Sequence, residues 1–283
     1  MSTGAIIQAR TSSTRLPRKV LKELPYGSGI TVLQQVIRRV RRSAGIDKVI
    51  IATTTDPDDD KIVTIAQKEG VPCFRGSKEN VLERYFLAAR EHQLDTIVRV
   101  TSDCPCVDAS IIDSIISQHF DSGADYSSNV LVRSFPYGVD TEVLSFAALE
   151  AAHKGATRDY EREHVCPFIY KSHPEKFKIL SVVAPQELHR PDIRVTLDTE
   201  EDYALLCVVY EYIYPTRNLF DLEDVVQLYQ EKPWLAIING KVAQKKMYDS
   251  LEEELKDALR MLDLWDLKGA SAYFAQGLQG VGV

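Results

Sequence analysis

Short apolar runs alternate along the first half of the chain with stretches of helical spacing. Ala5-Ile6-Ile7 predicts a buried first strand, and residues 48–53 (KVIIAT) predict a second. Val71-Pro72-Cys73-Phe74 reads as a short strand, and residues 96–100 (TIVRV) as a further one. Between them, apolar positions fall three and four residues apart. One set is Ile62, Val63 and Ala66, after a helix start at Asp56-Pro57. A second is Val81, Leu82, Tyr85, Phe86 and Ala89, and a third is Ile111, Ile112, Ile115, Ile116 and Phe120. Each set gives a helix one apolar face. This alternation predicts an α/β fold: a doubly wound, mostly parallel sheet joined by right-handed crossovers.

The rhythm breaks over residues 125–189. Strand-like pieces at 141–144 and 177–183 surround two helical stretches, and Pro136-Tyr137-Gly138 marks a turn. A strand at 193–197 (IRVTL) and a helix through Tyr203, Leu206 and Val209 resume the pattern. Leu251, Leu255, Ala258, Leu259 and Leu262 then define a late amphipathic helix, and the tail after Gly277 is expected to fray. The expected organisation is an α/β core of residues 1–124 and 190–245, a smaller inserted subdomain of 125–189, and a C-terminal helical extension of 246–283.

The 283 residues can bury a substantial core, and 45% hydrophobic with 27% charged residues is ordinary for a soluble protein. There is no long apolar run and no leader-like start, so a cytoplasmic protein without a membrane partner is expected. The net charge of -7 argues against a nucleic-acid partner. That charge is uneven. Residues 1–42 carry nine Lys or Arg against the single acid Glu23, a net +8 that leaves -15 for the remainder. A basic region in an acidic chain suits capture of a small anion. Five cysteines, an odd number, read as reduced thiols, and Cys104-Pro105-Cys106 lacks the spacing of a zinc site.

The strongest chemical signal is the run from Gln8 to Lys19, QARTSSTRLPRK, directly after the first strand. Ligands of open α/β sheets bind outside the carboxyl ends of strands. Guanidinium forks on Arg10 and Arg15 and the Lys19 ammonium suit a polyphosphate there. Asp103 follows the strand at 96–100, where a carboxylate can either hold a divalent cation against phosphate oxygens or cap a helix. Asp198 follows the strand at 193–197 with the same two readings.

The run IIQARTSSTRLPRKVL resembles the N-terminal signature of the cytidylyltransferases that activate acidic sugars, among them the Kdo, acylneuraminate and spore-coat SpsF-type proteins. Their pattern is close to Q/P-A-R-x-x-S-x-R-L-P-G-K, and Arg18 stands where Gly is common. The resemblance implies a Rossmann-like nucleotidyltransferase that transfers CMP from CTP to a 3-deoxy-2-ulosonic type of sugar acid, with pyrophosphate as the second product. It makes Arg15 and Lys19 catalytic, sets Arg10, Ser12 and Ser13 on the triphosphate, and assigns Mg2+ to Asp103 and Asp198. FRGSKENVLERY resembles the segment beside the base, implying contacts from Gly76, Ser77 and Arg84, with Thr53 near the nucleoside. For Arg84 a surface ion pair is the other reading. YGVDTEV and EREHVCPFIY resemble sugar-side elements, implying Tyr137, Asp140, Glu142, Glu163 and His164; His164 fits packing equally well. The family also implies a homodimer formed through the insertion. Another NTP, a phosphonate acceptor, or a glycosyltransferase using Asp58-Asp59-Asp60 as a D-x-D motif remain alternatives.

Overall fold

The computed structural model describes residues 1–242 and 251–280, with side chains up to residue 275. Four parallel strands, Thr3–Gln8 (β1), Lys48–Thr54 (β2), Cys73–Gly76 (β3) and Thr96–Thr101 (β4), form the centre of the sheet. Tyr126–Ser128 (β5), Glu142–Ser145 (β6) and Ile179–Ser181 (β7) extend it to the order β3-β2-β1-β4-β6-β5-β7. Only β6 runs antiparallel to its neighbours. The order reverses at β1 and β4, where the connections leave in opposite directions and open a crevice at the carboxyl ends.

Helices cover both faces, which is why the central strands are apolar on both sides. Val32–Val40 (α1), Asp60–Lys68 (α2) and Val81–Glu91 (α3) follow β1, β2 and β3, and Ala109–Ser122 (α4) follows β4. Phe146–Gly155 (α5) and Asp159–His164 (α6) lie in the 125–189 segment, and Glu200–Ile213 (α7), Leu222–Glu231 (α8) and Leu235–Ile238 (α9) come after it. Ile7, Ile51, Val98 and Val100 pack with α1, α2, α4, α7 and α8. Ile6, Ile50, Ala52 and Ile97 pack with α3 and α5 on the other face. Each large apolar side chain fully buried this way contributes roughly 1.5–3 kcal/mol.

Local signals set the helix starts. Thr31 and Gln34 form a capping box on α1, and Thr199 and Asp202 form another on α7. Asp108 caps α4, which ends on Gly123 at φ 61°.

The expected strand at 193–197 is not part of the sheet. Ile193, Val195 and Leu197 are fully buried, but their backbone bonds go to loops. Tyr137 N–H donates to Ile193 O at 2.9 Å, Val195 N–H to Tyr137 O at 2.7 Å, and Leu197 N–H to Asp103 O at 2.8 Å. Gly138 makes this crossing possible. At φ 104°, any Cβ there would lie 2.6 Å from the Val195–Thr196 backbone.

The chain separates into two compact units, Met1–Asn239 and Gly240–Val283, and the 125–189 segment belongs to the first. In the second, Leu251–Leu264 (α10) packs against Lys268–Gly280 (α11), which continues past Gly277. Residues 243–250, which include the start of the expected extension, and 281–283 of the tail lie outside the described residues. Among the described residues no helix is long and apolar enough to cross a membrane.

Candidate active site

The loop after β1 closes on Thr11, whose carbonyl accepts the N–H groups of Ser13 at 3.0 Å and Arg18 at 2.9 Å. Arg18 is left-handed at φ 57°, the conformation that favours glycine. The family's usual residue is thus explained, and the turn persists with arginine in its place. Lys19 then begins a short 3-10 turn, Lys19–Leu21.

Lys19 reaches across the crevice to both candidate metal ligands. Its Nζ donates to Asp103 Oδ2 at 2.6 Å and to Asp198 Oδ1 at 2.8 Å. Asp103 comes from the carboxyl end of β4, beside β1. Asp198 is brought there by the 193–197 segment, whose Leu197 N–H is tied to Asp103 O. Two carboxylates 95 positions apart therefore converge on one point. Arg15 pairs with Asp198 Oδ2 at 3.0 Å, and Arg194 binds the same oxygen at 2.9 Å. The Thr101 hydroxyl donates to Asp103 Oδ1 at 2.6 Å. Burial alone would raise the Asp103 carboxyl, but the Lys19 charge and the bonds from Lys19 and Thr101 outweigh it and hold Asp103 below the usual range. Burial would likewise lower Lys19, and the two aspartates more than offset it, so Lys19 stays a cation.

Arg194 and Asp202 carry no role from the sequence. Arg194 makes a two-pronged pair with Asp202, whose Oδ2 also accepts the Asp198 N–H at 2.9 Å. Asn239 donates to Arg194 O and to Asp202. This buried framework holds Asp198 in place, and its only sequence signal is the RVTLDTEED run.

Arg10 and Ser12 are exposed on the loop and Ser13 is half-buried. Arg10 lies within electrostatic reach of Arg84. Among the base-side candidates, Arg84 is 1% exposed, so it is no surface ion pair. Its Nη1 donates to Ser77 O at 2.5 Å, while its Nε is buried without a hydrogen-bond partner among the described residues. Burial lowers its guanidinium pKa. A Cβ on Gly76 would meet the Arg84 stem at 3.2 Å and the Phe74 ring at 3.0 Å, so glycine lets the two pack there. Gln8, which had no assigned role, shares the α3 face and buries an Oε1 that likewise has no hydrogen-bond partner among the described residues. By strand alternation Thr53 points to the opposite face, with Ile51, and does not join Gln8.

The sugar-side candidates divide. Arg133 forks onto Asp140 at 2.6 and 3.2 Å and lies 4.1 Å over the Tyr137 ring. Glu142 instead lies inside the sheet. Arg99 pairs with it and Tyr126 donates to it at 2.6 Å, so it is held in the interior rather than presented to a ligand. Glu163 and His164 end α6, which packs on α3. Val165 follows at φ 71° in a γ-turn closed by Cys166 N–H donating to His164 O at 2.9 Å. Within the acidic triplet, Asp59 is 1% exposed and turned inward, and Asp60 is paired with Arg75 at 2.6 Å.

A profile of the family described as Cytidylyltransferase matches residues 4–252. An uncharacterised protein of Methanocaldococcus jannaschii is 36% identical over 253 residues, covering 89% of this chain and 100% of its own. Spore coat polysaccharide biosynthesis protein SpsF of Bacillus subtilis is 36% identical over 211 residues, covering 73% and 85%. A solved cytidylyltransferase from Leptospira borgpetersenii matches with a TM-score of 0.76 at 33% identity, over 88% of this chain and 99% of that one. The matched stretch runs from β1 past α9 and takes in the Lys19 loop, Asp103 and Asp198: the chain belongs to the cytidylyltransferase family.

Proposed function

We propose that the chain transfers CMP from CTP to a sugar acid of the 3-deoxy-2-ulosonic type, releasing pyrophosphate, for a surface polysaccharide. The observation that carries this reading is Lys19 bridging Asp103 and Asp198 beneath a cationic loop at the sheet's switch point. The spore-coat relative supports the polysaccharide context.

Asp103 and Asp198 fit Mg2+, because two hard carboxylates converge on one cation, and Mg2+ takes one or two carboxylates and completes its shell with phosphate oxygens and water. When bound there it supplies charge neutralisation at the phosphates. The chain's own groups do the rest. Arg10, Ser12 and Ser13 hold the triphosphate, and Arg15 and Lys19 stabilise the negative charge that grows on departing pyrophosphate. Gln8, Gly76, Ser77 and Arg84 receive the base; Gln8 Oε1 and Arg84 Nε, buried with no hydrogen-bond partner among the described residues, favour that reading. An acceptor hydroxyl attacks the α-phosphorus and releases its proton to solvent, the bond from that phosphorus to the α,β-bridging oxygen breaks with that oxygen leaving on pyrophosphate, and positioning supplies most of the acceleration. Tyr137, Asp140, Glu163 and His164 face the acceptor, and the 125–189 segment meets a second copy in a homodimer.

The test is pyrophosphate release with each of the four NTPs, Mg2+ and a panel of 3-deoxy-2-ulosonic acids, with products read by mass spectrometry. A CMP-linked acid formed with CTP supports the proposal. Turnover with another NTP alone, or with phosphonates and no sugar acid, would replace it by the corresponding transferase.

A further inference from the structure

Asp59 precedes α2 at a position where an aspartate ordinarily caps the helix, yet its side chain makes no capping bond. The carboxylate turns back to the phosphate loop. Its Oδ1 accepts both the backbone N–H and the hydroxyl of Thr11, each at 2.7 Å, and its Oδ2 accepts the Thr54 hydroxyl at 2.5 Å. These donors are uncharged, and both Asp59 and Thr11 are buried. What those oxygens hold in place is Thr11.

Thr11 is the residue on which the loop closes, since its carbonyl receives the N–H groups of Ser13 and Arg18. Arg18 takes its left-handed turn there, and Lys19 leaves that turn toward Asp103 and Asp198. The connection between β2 and α2 therefore fixes the loop after β1 through one side chain. Thr54 ends β2, so the same carboxylate ties the loop to the strand beside it.

We propose that Asp59 is a positioning residue that sets the curvature of the loop, so that Arg10, Arg15 and Lys19 face a triphosphate. The inference rests on the nucleotide reading above and names a residue outside the loop on which that grip depends. Asparagine at 59 keeps one oxygen for both Thr11 donors, and its amide can donate to the Thr54 hydroxyl. Alanine keeps neither contact.

The test measures CTP and CMP affinity by calorimetry in the full chain, because the loop holds the phosphates that CMP lacks. Asp59→Ala is expected to weaken CTP by roughly tenfold or more, as for loss of a charge-assisted hydrogen bond, and to leave CMP within about twofold. Asp59→Asn should restore most of the CTP affinity. Asp60→Ala, which removes the same charge one residue away, should leave both ligands unchanged. A folded Asp59→Ala protein that binds CTP as wild type does, or loses CTP and CMP in parallel, overturns the inference. Should that variant fail to fold, Thr11→Val removes one bond from the other side. CTP weakened more than CMP then supports the proposal, and equal losses or none overturn it. Wild-type protein that binds no CTP would overturn the nucleotide reading itself, and this inference with it.

Discussion

Lys19→Met keeps most of the apolar stem and removes the cation between the two aspartates. The Lys19 side chain is 13% exposed, against 24% for Asp103 and 14% for Asp198. Removing one partner of a buried pair costs about 3–5 kcal/mol. Here the loss is cushioned, because Asp198 retains Arg15 and Arg194 and Asp103 retains the Thr101 hydroxyl. A cost of about 2 kcal/mol is therefore expected, or roughly 4–8 °C in Tm for a unit of this size. The variant also leaves two carboxylates facing each other, which a divalent cation can join. A ligand at a hundredfold excess over its Kd returns about 2.7 kcal/mol. Differential scanning fluorimetry with MgCl2, against NaCl of matched ionic strength, reads both effects. Lys19→Met should melt below wild type in NaCl and recover most of the difference in MgCl2, while wild type shifts less because Lys19 competes for the same oxygens. A variant as stable as wild type, or one that responds to Mg2+ no more than wild type, would refute the shared-cation geometry.

Arg18→Gly relieves a left-handed residue at a cost to unfolded-chain entropy, so a net gain of about 0.5–1 kcal/mol is expected in urea unfolding; a loss would mean that the arginine side chain outweighs the strain. Gly138→Ala must push apart the crossing of the 136–138 turn and the 193–197 segment, and should lower stability by roughly 1–3 kcal/mol and misplace Asp198. Unchanged melting would show that the crossing yields freely. Asp103 lies below its ordinary pKa of 3.8, so its contribution is full above that pH and is lost as pH falls through its folded value. Lys19 lies above 10.5, so its contribution is full below that pH and is lost as pH rises through its folded value. The stability gap between wild type and Asp103→Asn should thus stay flat between these limits, and a gap that titrates near neutrality would contradict the pairing.

The cationic loop after β1 was legible because its chemistry is local: four cations follow one apolar strand within twelve residues. The β-α rhythm through α4 was legible for the same reason, each element carrying its own period. Residues 193–197 misled because burial and β-branched content mark an apolar run as strand-like, whereas pairing depends on which backbone lies alongside. β5 went unseen because Tyr126-Ser127-Ser128 has no apolar run, and it is held by pairing with β6 and β7. Glu142 sits in a motif-like stretch, yet Arg99 and Tyr126 enclose it from the strands on either side, β4 and β5, which are remote in sequence, a contact no local pattern carries. Asp59 looked like one of three solvated acids at a helix start, and only folding brings Thr11 to it across 48 positions.

The most direct measurement is anomalous diffraction from a crystal of the protein with CTP and Mn2+. The expected map places the metal on the carboxylates of Asp103 and Asp198, with the triphosphate along the loop from Arg10 to Lys19 and the Lys19 ammonium moved onto a phosphate oxygen. A metal bound away from that pair, or a triphosphate lying outside the crevice between β1 and β4, would contradict it.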